Sequence, residues 1–165
     1  MNIRTLFAGL LLAAFGAHPA WAYCFPEMDY TVKGEFNRSD IVAIVKVESV
    51  IWLDEKRLPA KLAGPLTLGN IPGAFDPYIG AYYTVSLVRA YKGLPPRRFR
   101  IFSENTEART PLRIGPNLLL FITRVPKSDE YARAGDLTVD YCGNSILASR
   151  AHKTLQQIGR LSHRR

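Results

Sequence analysis

The chain has 165 residues, 47% of them hydrophobic, and a formal charge of +8; at that size one domain with one core is the default. Two cysteines and three histidines supply little for a metal centre or a histidine-based triad. The positive balance admits anionic lipid head groups, polysaccharide or nucleic acid as partners, but much of it (Arg150, Lys153, Arg160, Arg164 and Arg165) lies where it suits a helix C-terminus and tail.

Residues 1–22 read as a secretory signal peptide: Met1–Arg4 carry a positive charge, Leu6–Phe15 are apolar, and Ala20-Trp21-Ala22 is an A-x-A cleavage site. No later stretch approaches the roughly 20 apolar residues of a membrane span. The expectation is therefore a soluble periplasmic or secreted chain, residues 23–165, folded as a single domain. Cleavage removes Arg4, lowering the charge by one, and leaves Tyr23 ahead of Cys24, a poor order for a lipid-modified cysteine. An even pair, Cys24 and Cys142, in an exported chain points to one disulfide tying the ends together.

Tyr23–Lys33 reads as an anchored arm, and Glu35–Asp40 as one helical turn or a tight bend with Ser39 and Asp40 as turn or cap residues. Ile41–Trp52 is rich in β-branched residues and apolar on both faces in its first half, which predicts a strand covered on both sides. The connection 53–80, with four prolines and four glycines, reads as a long loop or insertion, part of which packs back on the core through its apolar side chains.

Tyr82–Gly93 carries the clearest alternation, Tyr83, Val85 and Leu87 against Tyr82, Thr84 and Ser86, with a phase slip at Val88–Ala90 that a β-bulge explains. A short Gly/Pro turn then leads to a second hairpin strand, Arg98–Ser103. Asn117–Val125 is the most hydrophobic stretch of the exported chain and reads as a central strand. Leu137–Cys142 reads as a last strand, and Ser145 as the N-cap of a helix over Ile146–Leu161 bearing Leu147, Leu155 and Ile158 on one face. The fold predicted is mostly β, a five-stranded OB-like β-barrel with a C-terminal helix; the alternative is a small β-sandwich.

In order and spacing, Cys24, Phe36, Ser39-Asp40 before IVAIVKV, then YYTVSLVRAYKG, RIFSEN, PLRIGPNLLLFITRV and LTVDYCGNSI resemble the bacterial TIMP-like or netrin-like (NTR) OB-fold proteins, relatives of the tissue inhibitors of metalloproteinases. The resemblance implies an exported, non-enzymatic module with Cys24 bonded to Cys142 and an extracytoplasmic protein as partner. It also raises a metalloprotease inhibitor acting through the N-terminal Cys region, since inhibitors of this family chelate the target's zinc through the amine and carbonyl of a first-residue cysteine. Here Tyr23 places the amine one residue early, and the other cysteines of the animal inhibitors are missing.

No catalytic residue, metal site or cofactor is expected. His152 has no positioned partner, His163 lies in the tail, Ser103 and Ser145 lack a G-x-S-x-G context, and Asp54-Glu55 and Asp129-Glu130 read as solvated loop carboxylates. Arg89, Lys92, Arg97, Arg98 and Arg100, beside Tyr82, Tyr83, Tyr91, Phe99 and Phe102, form the candidate patch for an anionic ligand. Nucleic acid ranks below lipid and polysaccharide there, because an exported protein rarely meets it and the tyrosines also serve as core.

Overall fold

In a computed structural model, which describes residues 24, 27–60, 78–105, 112–140 and 142–162, the β-branched run from Ile41 becomes the middle of an antiparallel sheet. The elements in chain order are α1 (Val32–Arg38), β1 (Ile41–Leu53), β2 (Gly80–Lys92), β3 (Arg98–Glu104), β4 (Asn117–Arg124), β5 (Leu137–Val139), β6 (Ile146–Leu147), a 3-10 turn (Ala148–Arg150) and α2 (His152–Ser162). The strand order is β3-β2-β1-β4-β5, with β6 also pairing β4. The sheet is open, for no ladder joins β3 to β5 among the described residues, although these two strands lie alongside each other. Residues 1–22 and 61–77 lie outside the described residues, so neither the signal peptide nor most of the 53–80 connection is placed.

The doubly apolar pattern of β1 has a direct cause in packing. Ile41, Ala43, Val45 and Val47 face the main core with Val85, Ile101, Leu118, Leu120 and Ile122. Val42 faces the other way with Leu119 and Phe121 of β4, and there Phe36 of α1 and Ile158 of α2 cover it. A second apolar layer on the sheet is stable only because the helices remove it from water, at about 1.5–3 kcal/mol per large side chain buried.

The phase slip read at Val88–Ala90 is a bulge. The β1–β2 register leaves Val88 and Tyr91 of β2 and Glu48 of β1 without a partner, and each such extra residue adds twist that coils the pair. Gly93 ends β2 at φ 74°, and a Cβ there would fall 2.6 Å from the Asp40 carbonyl, so no other residue fits.

Four expectations are corrected and one, the hairpin, holds with a shorter ladder. The strands number six rather than five, the addition being β6, which sets Leu147 opposite Leu118. The β2–β3 hairpin forms, its strands joined by the short segment 93–97 with Gly93, Pro95 and Pro96, but its ladder stops at Ser86–Arg98, while β2 runs on to Lys92 paired with β1 alone. The single turn read at Glu35–Asp40 is a seven-residue helix starting at Val32, its N-cap Thr31 accepting the Gly34 N–H. The strand read over Leu137–Cys142 spans only Leu137–Val139; Tyr141 is not among the described residues. Finally, the C-terminal helix starts at His152, not Ile146. Ser145 does not cap it: its hydroxyl accepts the Phe121 N–H at 3.0 Å, and Leu147 packs into the main core instead of sharing a helix face with Leu155.

Candidate functional site

Antiparallel pairing of β2 with β3 sets Tyr82 opposite Phe102, Thr84 opposite Arg100 and Ser86 opposite Arg98. With period two, these six side chains share the face turned away from the main core, which takes Tyr83, Val85, Phe99 and Ile101. The Tyr82 and Phe102 rings sit 5.4 Å apart. The Arg100 guanidinium lies 4.9 Å from the centroid of Tyr82, and that of Arg57 lies 4.8 Å from Phe102. Two arginines and two aromatics thus form one stacked layer, whose cation–π contacts strengthen with desolvation.

Arg57 reaches the layer from the segment after β1, in the left-handed region at φ 60°. Asp54 shapes that segment by accepting the N–H groups of Lys56 and Leu58. From the opposite side comes the β4–β5 loop. Asp136 accepts the Tyr82 hydroxyl at 2.8 Å and the Arg57 guanidinium at 3.1 Å, and Arg57 also donates to the Tyr131 carbonyl at 2.6 Å. The Arg57–Asp136 pair is close to buried, with side chains 12% and 13% exposed. Burial first, and then the bond to Asp136, pushes the Tyr82 phenol above its usual value.

Of the five basic residues read as one patch, the structure brings only part together. Arg98 and Arg100 share the outer face of β3, and Arg97 precedes them. Arg98 pairs with the bulged Glu48 at 2.8 Å in an exposed position, where such pairs add little stability. Arg89 lies between the bulges at Val88 and Tyr91, stacked on Tyr91 at 5.0 Å. Lys92 serves α1: its Nζ donates to the Phe36 and Asn37 carbonyls at 2.7 and 2.8 Å, satisfying orphan groups at the helix C-terminus. Of the aromatics named with them, Tyr83 and Phe99 belong to the main core, and Phe102, 2% exposed, to a smaller buried cluster with Leu53 and Ala132.

A second polar cluster lies beside the Cys24–Cys142 disulfide, whose Cα atoms are 5.7 Å apart. Glu35 of α1 is 2% exposed. Its Oε2 accepts the Asn144 backbone N–H at 2.6 Å and the Asn144 side-chain amide at 2.7 Å, whereas Oε1 is buried with no hydrogen-bond partner. A Cβ at Gly143 would fall 1.9 Å from Oε1, so any side chain there would displace the carboxylate. Burial pushes Glu35 above its ordinary range, with the Asn144 donors pulling the other way.

Sequence reasoning missed Arg57, Asp136, Glu35 and Asn144. Asp129, expected to be solvated, accepts the Tyr131 and Ala132 N–H groups and folds the β4–β5 loop. His152 is exposed at the start of α2, and His163 lies outside the described residues. Among the described residues, no group of three or more His, Cys, Asp or Glu could hold a metal ion, and no helix is long and apolar enough to cross a membrane.

No family model and no curated protein matches the chain. The stacked layer and the two loops that clasp it are therefore read on their own geometry.

Proposed function

We propose that the chain is an exported, non-catalytic binding module of the TIMP-like OB-barrel type, taking an extracytoplasmic protein on the outer face of β2 and β3. The observation that carries the reading is the clasp. Loops from β1–β2 and β4–β5 meet over Tyr82 and Phe102 through the Arg57–Asp136 pair, and OB folds bind their ligands on this strand pair between these two loops. The strand order β3-β2-β1-β4-β5, with β3 and β5 side by side, suits a partly open OB barrel. The Cys24–Cys142 bond suits an oxidising compartment.

A protein partner fits the composition of the face. Tyr82, Arg98 and Arg100, backed by the buried Phe102, are of the types enriched in protein interfaces, and Glu48 paired with Arg98 gives the face mixed charge, whereas a strand of nucleic acid favours an unbroken basic track.

The test is site-specific photo-crosslinking in the exporting cell, with the crosslinker at Thr84 or Arg100 and a control at Gln157 on α2. One protein captured at both β2–β3 positions and not at Gln157, and then bound in purified form, is the expected result. Equal capture at Gln157, or no complex with the purified protein, defeats the reading. Sequencing the exported N-terminus decides the inhibitor variant: a start at Cys24 frees the amine that zinc chelation needs, and a start at Tyr23 removes it.

A further inference from the structure

A recess of about 280 Å³ opens between the segment before β4 and the turn after β6, sharing no residue with the β2–β3 face. Its floor is apolar: Leu118 and Leu120 of β4, Leu112 and Leu147 all belong to the main core or pack on it. Arg113, Arg150 and Ser145 supply the polar lining. Both arginines are exposed, and among the described residues neither makes an ion pair or hydrogen bond. The Ser145 hydroxyl already accepts the Phe121 N–H, so its own proton remains to be donated. Three donors without an acceptor therefore surround an apolar floor.

We propose that this recess binds a small carboxylate carried on an apolar body. Arg113 and Arg150 hold the carboxylate, the Ser145 hydroxyl donates to it, and the hydrocarbon lies against Leu118, Leu120 and Leu147. Guanidinium groups match a carboxylate by forming charge-assisted, often paired, hydrogen bonds. The apolar floor argues against phosphate, since a second negative charge is costly to bring against hydrocarbon. The volume lies just below the roughly 300–1,000 Å³ of sites for drug-sized ligands, which limits the body to a few carbons. Either a free short-chain acid or the last residue of a polypeptide offers this chemistry.

The experiment is amide NMR titration of the disulfide-bonded protein with hexanoate, N-acetyl-leucine, hexanol and inorganic phosphate. Expected are saturable shifts at Leu118, Leu120 and 145–147 with hexanoate or N-acetyl-leucine, and none with hexanol or phosphate. Tighter binding of N-acetyl-leucine assigns the natural source as a polypeptide C-terminus, and the reverse order a free acid. Arg113→Gln and Arg150→Gln each weaken binding about fivefold; both sites are exposed and unpaired, so unchanged spectra elsewhere verify the fold. Hexanol binding as well as hexanoate, phosphate competing for the site, or a double variant that keeps full affinity overturns the proposal.

Discussion

Glu35 and the Arg57–Asp136 pair are both buried charges joining segments far apart in sequence, and they meet the cost of burial differently. Glu35 has no ion-pair partner among the described residues; two N–H donors from Asn144 satisfy one carboxylate oxygen and leave the other without a hydrogen bond. Arg57 and Asp136 neutralise each other, and Asp136 also takes the Tyr82 hydroxyl and the Arg133 N–H. The difference tracks what holds the backbone. Asn144 follows Cys142 by two residues, so the disulfide keeps the donors in place even though one oxygen is unsatisfied. The loops at the other junction have no covalent tie; a matched ion pair, the Arg57 bond to the Tyr131 carbonyl and the packing of Ala132 with Phe102 and Leu53 hold them together.

The disulfide is the stronger prop, and removing it is the most severe way to break the contrast. In the chain-entropy model a crosslink spanning 118 residues stabilises by about 5 kcal/mol. Cys24→Ser combined with Cys142→Ser is expected to lower the unfolding free energy by that order, read from urea denaturation of oxidised wild type beside the variant. A loss below about 1 kcal/mol means that Glu35 and Asn144 hold the corner unaided.

Next in size is the ionic clasp. Arg57→Ala leaves Asp136 nearly buried without its cation, an expected loss of about 3 kcal/mol. In a double-mutant cycle Arg57→Ala and Asp136→Ala should couple by about 1–2 kcal/mol. Additive losses would show that the loops are held by packing rather than charge.

The smallest effect sharpens the comparison through pH. Glu35 has its folded value raised above the ordinary 4.5, so between 4.5 and that higher value the folded chain binds more protons than the unfolded one. Stability therefore falls as pH rises through this window and levels off above it. Glu35→Gln removes that part of the slope while changing stability at neutral pH by no more than about 1 kcal/mol. An unaltered pH profile, measured by thermal unfolding, would place the slope in other groups.

The strands were legible wherever one face or both is buried, because burial imposes period two on Ile41–Val47 and Tyr83–Leu87 whatever the partner. The bulge at Val88 was visible for the same reason, as a break in that period. Boundaries failed where one local signal serves two purposes: a serine before an apolar run reads as an N-cap, yet the Ser145 hydroxyl goes to a β4 amide 24 residues away in sequence. The clasp was illegible because its members are 54 and 79 residues apart, and an Arg or Asp in a loop looks the same whether solvated or paired. Lys92 shows the converse. It looked like part of a basic patch, but its charge is directed at the end of a helix 55 residues upstream.

The single crosslink has a topological consequence. Cys24 and Cys142 enclose every sheet strand except β6 in one covalent ring. A protease that nicks any one peptide bond in that ring opens it without releasing a fragment. Such a molecule runs as intact protein on a non-reducing gel and parts into two pieces only when thiol is added. Damage and binding can therefore coexist in one molecule, and gels run with and without reductant will count the nicked fraction directly.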